Sequence, residues 1–177
     1  MRLPSSLLVI TLAAVAAPAR AQESPYVARA MSPIKTLTPE EIADYLAGAG
    51  MGFALAAELN GYPGPRHVLE LADSLGLDAD RRAAVRAIFD AMTSEARQLG
   101  AALVAAEAGL DSAFAGGAIT DAALEERVLR AGTFRGRLRL AHLRAHLAVA
   151  DLLTPAERRA YARLRGYGDS TATGHHH

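Results

Sequence analysis

From Val85 onward the apolar positions fall at alternating steps of three and four: Val85, Ile88, Met92, Ala96, Leu99, Leu103, Ala106, Leu110 and Phe114. That spacing puts them on one face of an α-helix. The run predicts a single helix of ~35 residues, ~50 Å long at 1.5 Å per residue. Asp78 stands where a helix needs a capping acceptor, Asp80 favours the positive end of the helix dipole, and Gly116-Gly117 ends the element. Thr120-Asp121 opens a second long helix reaching about Leu153. Its expected apolar face is Leu129, Gly132, Gly136, Leu140, Leu143, Leu147 and Ala150. A joint of about six residues between two such helices makes them antiparallel neighbours. No segment alternates apolar and polar as a strand would. The pattern therefore predicts an all-α fold, a long antiparallel helical hairpin with short flanking helices.

The flanks follow from turn and cap chemistry. Thr38-Pro39-Glu40-Glu41 has the form of a capping box, so a helix is expected from Pro39 to about Leu59. Gly48, Gly50 and Gly52 either break that helix or let another helix pack closely on it. They do not make a phosphate loop, since no strand precedes them and no Gly-Lys-Ser/Thr follows. Asn60-Gly61-Tyr62-Pro63-Gly64-Pro65 is a turn cluster. A short helix from about Pro65 to Leu75 comes next, with Gly76 placed to end it. After the hairpin, Thr154 and Pro155 suit the N-cap and first position of a last short helix, to about Arg165.

The ends read differently from the middle. Met1-Arg2, the apolar run Leu7 to Ala17 and Ala19-Arg20-Ala21 have the form of a signal peptide over residues 1–21, with cleavage expected before Gln22. The apolar run is shorter than the ~20 residues of a membrane span, so the destination expected is the periplasm rather than a retained anchor. Residues 22–37 carry Pro25 and Pro33 and no period, and are expected to form a mobile leader or an extended arm. Residues 38–168 are the helical domain and 169–177 a disordered tail ending in His175, His176 and His177. Without Arg2 and Arg20 the chain keeps 17 Lys and Arg against 19 Asp and Glu. Nearly balanced charge argues against a nucleic-acid partner. There is no cysteine, which excludes thiolate catalysis and disulfide bracing.

Two residue sets remain as candidate chemistry. His142 and His146 are four apart on a helix, where two imidazoles can reach one Zn, Ni, Co or Cu ion. A site of that kind needs further ligands, and His67 and Glu58 are the nearest candidates, with Met51 and Glu70 beside them. The terminal histidines could load metal loosely. No cofactor is required otherwise. The arginines form the second set. Arg86, Arg97, Arg135 and Arg139, interleaved with apolar positions, would capture unfolded chains by charge and retain them by apolar contact. No nucleophile–base constellation stands out, so the chain is not expected to be an enzyme.

Two short stretches repeat one form at the starts of helices. Leu77-Asp78-Ala79-Asp80-Arg81 opens the first long helix, and Leu153-Thr154-Pro155-Ala156-Glu157 opens the last short one. Together with the export signal and the hairpin, they resemble the twin LTxxQ motifs of the Spy/CpxP superfamily of bacterial periplasmic proteins. The motif positions here are Leu77, Asp78, Arg81, Leu153, Thr154 and Glu157. Asp78 replaces threonine, and Arg81 and Glu157 replace glutamine. Glu58 to Pro65, followed by His67 to Leu71, is similar to a stretch in members labelled periplasmic heavy-metal sensors. The resemblance implies a hooked hairpin, commonly a cradle-shaped antiparallel homodimer. It implies either ATP-independent chaperone activity on unfolded periplasmic proteins, or metal binding coupled to a membrane signalling partner. Nickel–cobalt sensors of this type use a late helical ligand pair, which His142 and His146 match. The earlier helix here offers Met51 and Glu58, without the two histidines such sensors have.

Overall fold

The computed structural model describes residues 24–167, and every regular element among them is helical. A 3-10 turn, Val27–Met31, precedes six α-helices: α1 (Pro39–Ala47), α2 (Leu55–Glu58), α3 (Pro65–Glu70), α4 (Ala79–Ala115), α5 (Asp121–Leu152) and α6 (Pro155–Leu164). The long pair α4 and α5 packs antiparallel, and the short helices flank it. The expected signal peptide and the three terminal histidines lie outside the described residues. Among the described residues no helix is long and apolar enough to cross a membrane.

The caps form where the sequence placed them. An Asp78 carboxylate oxygen accepts the Arg81 amide at 2.8 Å, and the Thr120 hydroxyl accepts the Ala123 amide at 3.3 Å. Thr38 with Glu41, and Thr154 with Glu157, close full capping boxes. Each supplies partners to amides that a helix start leaves free.

The helix expected from Pro39 to Leu59 is broken. It stops at Ala47 because Gly48 takes a left-handed backbone, φ +70°. A side chain there would be strained and would also press on Arg97 Cγ and the Thr93 carbonyl at 3.1 Å. Close packing occurs too, one helix over. Gly100 on α4 faces the Tyr45 backbone at the end of α1, and a Cβ at that position would overlap the Tyr45 carbonyl. The α1 backbone thus lies directly on α4. From Ile34 onward the expected leader is an arm docked on α4. Ile34 and Leu37 are buried, Lys35 pairs with Asp111 at 3.0 Å, and the Thr36 hydroxyl donates to Glu107 at 2.9 Å.

The face of α5 differs from the expected one. Its buried row is Ala131, Leu138, His142, Ala145 and Val149, with Ala141, His146 and Ala150 beside it. Of the expected row, Leu129, Gly132, Gly136, Leu140 and Leu147 are exposed, Leu143 is half-buried, and Ala150 is buried. Each residue of one row lies two positions from its counterpart in the other, about 200° around the helix at 100° per residue. Two apolar rows with the same spacing therefore occupy opposite faces. The row rich in alanine faces α4, where small side chains let the buried α4 positions Val85, Ala96 and Leu103 approach closely.

The core falls into two apolar clusters. One joins Ile34, Leu37, Tyr45, Phe53, Ala96, Leu103, Ala131 and Leu138 along the hairpin. The other joins Val68, Ala72, Leu75, Leu77, Val85, Val149, Leu153 and Tyr161 at the hooked end. Along α5, His142 and His146 lie between Leu138 of the first cluster and Val149 of the second.

Candidate functional site

The histidines sit on the buried face of α5, where their four-residue spacing puts both on the α2–α3 side. The His142 ring is stacked on Phe53, with centroids 5.8 Å apart and planes 15° from parallel. It is 3% exposed, and its Nε2 has no hydrogen-bond partner among the described residues. Burial first, and the neighbouring His146 second, push its pKa below the usual 6.5, so the ring is neutral at neutral pH. His146 Nδ1 lies 2.8 Å from the Tyr62 carbonyl. A carbonyl only accepts, so Nδ1 is the protonated nitrogen of that ring.

Glu58 closes the short helix α2 and is buried at 7% exposure. A buried carboxylate needs donors, and α3, α5 and α6, with the residues at their ends, bring polar groups to it. The Tyr161 hydroxyl of α6 donates to Oε1 at 2.5 Å, and the Tyr167 hydroxyl donates to the same oxygen at 2.9 Å. The Gly64 amide donates to Oε2 at 3.0 Å. His67 Nδ1, His146 Nδ1 and Arg165 Nε each stand 3.7 Å from a Glu58 oxygen. Burial, and then the bond to Glu58, raise the Tyr161 pKa far above its ordinary 10. The phenol therefore stays protonated and remains a donor.

The structure brings Glu58, His67 and His146 together, with His142 one turn away on α5. Both Glu58 oxygens are already occupied, His146 Nδ1 is committed to Tyr62, and His142 Nε2 is buried without a hydrogen-bond partner among the described residues. Among the described residues no group of three or more His, Asp and Glu is arranged to hold a metal ion. As arranged, the cluster is a hydrogen-bonded junction between α2, α3, α5 and α6, and it does not fit a metal's coordination shell. Glu70 is exposed. Met51 lines a cavity of about 560 Å3 beside the histidines, with Met92 and Arg97 across from it.

The four arginines split into two pairs. Arg97 lines that cavity and donates from Nε to the Ala47 carbonyl at 3.2 Å, while Arg86 on the same helix lies over Phe89, 5.7 Å from its centroid. Arg135 and Arg139 border a second groove, of about 440 Å3, earlier along α5, which shares Met51, Gly52 and Leu55 with the first cavity. Gly132 and Gly136 also line it, as do Leu55 and Ala56. Arg135 is fixed by the Tyr45 hydroxyl at 3.1 Å and lies over Phe53 at 5.8 Å. The exposed α5 row borders this groove only through Gly132 and Gly136; its leucines lie outside the groove lining, with Leu129 61%, Leu140 42% and Leu147 52% exposed.

The two repeated stretches meet in space. Leu77 and Leu153 are buried in the hook cluster. Arg81 grips Glu157 with two hydrogen bonds, at 2.7 and 2.6 Å, and donates to the Leu152 carbonyl at 2.6 Å. The Arg81 bond above all, helped by donors from Thr154, holds the Glu157 carboxyl at about 2. The same pair raises the Arg81 pKa.

Sequence reasoning did not single out Tyr161, Tyr167, Tyr62 or Phe53, which partner Glu58, His146 and His142. Their separations along the chain reach 109 residues, and no local pattern marks such a pairing. No family model, curated protein or solved structure matches this chain.

Proposed function

We propose that this protein is an exported, non-enzymatic stress protein of the Spy/CpxP kind that holds unfolded clients without ATP. The client surface is the outer face of α5. What supports the reading is the exposed apolar row itself. Leu129, Leu140 and Leu147 stand uncovered over ~27 Å of helix at 1.5 Å per residue. Large apolar side chains left exposed along one helix face are what an interaction surface offers a partner. Arg135 and Arg139 border a groove that Gly132 and Gly136 of this row help to line, and Arg130, Arg137 and Arg144 are exposed nearby on α5. Cationic groups speed the capture of acidic chains, and the leucines slow their release. The glycine-lined groove leaves room for an extended backbone.

The test is to dilute a chemically unfolded client into the mature protein and follow light scattering. Suppression is expected at stoichiometric excess, and weaker suppression with Leu140→Glu and Leu147→Glu together. Absence of suppression by the wild type would overturn the reading. The homodimer implied by the resemblance has the same row available to it. Sedimentation velocity of wild type against Leu140→Glu reads whether a second copy covers the row before a client arrives.

A further inference from the structure

The inner side of α5 faces a different surface. The cavity of about 560 Å3 lies between the Gly48–Gly52 loop, the start of α3 and the facing sides of α4 and α5. We propose that it is a binding site for a small amphipathic carboxylate, with the apolar body inside and the head group on Arg97 and Arg66. The proposal is independent of client binding on the outer face.

Its volume lies within the ~300–1,000 Å3 typical of small-molecule sites. The walls are apolar and adaptable. Met51, Leu55, Phe89 and Met92 all line it, and methionine fits irregular apolar partners well. His142 adds an aromatic wall, which burial keeps uncharged at neutral pH. Met51 itself has φ +43°, a left-handed backbone rare for a residue with a side chain. Strain of this kind gathers at binding loops, where the fold holds a side chain in a set place.

The polar groups set the ligand's charge. Arg66 and Arg97 line the cavity and are exposed to solvent. The bond from Arg97 Nε to the Ala47 carbonyl anchors its guanidinium against the loop. A planar guanidinium matches a carboxylate with paired hydrogen bonds. The only carboxylate among the lining residues is Glu58, and its oxygens already accept from Tyr161, Tyr167 and Gly64. It therefore stands with its charge engaged at the inner end, while the cations stand at the solvent side. An apolar molecule with one anionic end suits that polarity.

Calorimetric titration of the full chain with octanoate, and with uncharged octanamide as its neutral analogue, tests the proposal. One saturable octanoate site per chain is expected, with octanamide binding roughly tenfold or more weaker. Arg97→Gln should weaken octanoate by a similar factor and leave octanamide unchanged. Met92→Trp, which fills the cavity, should abolish both. Leu140→Glu, on the outer face, should change neither. Arg97 is exposed, so its variant keeps the test decisive even if Met92→Trp fails to fold. The proposal is overturned by no saturable binding, by equal binding of the two probes, or by octanoate binding lost in Leu140→Glu and kept in Met92→Trp.

Discussion

Replacing Arg81 with methionine would test the clamp between the two helix starts. The change keeps the aliphatic stem and removes the guanidinium that holds Glu157 and the Leu152 carbonyl. In the folded chain the Glu157 carboxyl lies at about 2, against its ordinary 4.5. At ~1.4 kcal/mol per tenfold, that difference is worth at most about 3–4 kcal/mol. Solvent reaches both side chains, and Thr154 supplies part of the effect, so about 1–2 kcal/mol is the share expected to vanish with Arg81. The sign follows from linkage. A carboxyl lowered on folding contributes fully above its unfolded value and loses that contribution as pH falls toward its folded value. The gap between wild type and Arg81→Met, read from urea midpoints, is therefore expected to be full at pH 7. It should shrink as pH drops from about 5 toward 2. The reciprocal exchange, Arg81→Glu with Glu157→Arg, should not restore stability, because arginine cannot accept the Thr154 amide that Glu157 caps at 2.8 Å. A gap that stays constant across this pH range would refute the assignment of the stabilisation to the ion pair.

Gly100→Ala puts a methyl group into the Tyr45 carbonyl. Overpacking outweighs the better helix propensity of alanine, giving a net loss of about 1–2 kcal/mol, measured by thermal unfolding. Tyr161→Phe removes a buried donor from Glu58 and is expected to cost ~1–2 kcal/mol by urea denaturation, with helicity retained. His142→Phe removes a buried, unpartnered nitrogen while keeping the stack on Phe53. Its stability at pH 7 is expected to equal or exceed the wild type's, and loss of stability would show that Nε2 has a partner after all. His142 is lowered on folding, so the wild type should lose stability as pH falls below about 6.5, and His142→Phe should lose less of it over the same range.

The hairpin was legible in the sequence for a simple reason. On α4 the apolar stripe is opposed by charged and small residues, so its period and phase can be read up to its last member, Phe114, which is 56% exposed. On α5 the period can be read and the phase cannot. Leucines at 129, 140 and 147 look more like a core than alanines and histidines at 131, 142, 145 and 146, yet the second set is buried. Which row turns inward depends on what α4 presents to it, and this is not written in α5. The clamp was hidden in a similar way. Arg81 and Glu157 each look like a departure from a motif when read alone, and they explain each other only once the fold brings positions 76 apart in the chain together. Glu58 is harder still, since a glutamate closing a four-residue helix gives no local hint of burial.

The layer between the two apolar clusters also sets register. Leucine and alanine rows resemble themselves after a shift of one helical turn, so apolar packing alone would tolerate α5 sliding by ~5.4 Å. Such a slide would draw His146 away from the Tyr62 carbonyl and carry α6 along with it. Tyr161 would then leave Glu58 short of its closest donor in the interior. Apolar packing holds the helices together, and one buried carboxylate with its phenols decides where along each other they stop.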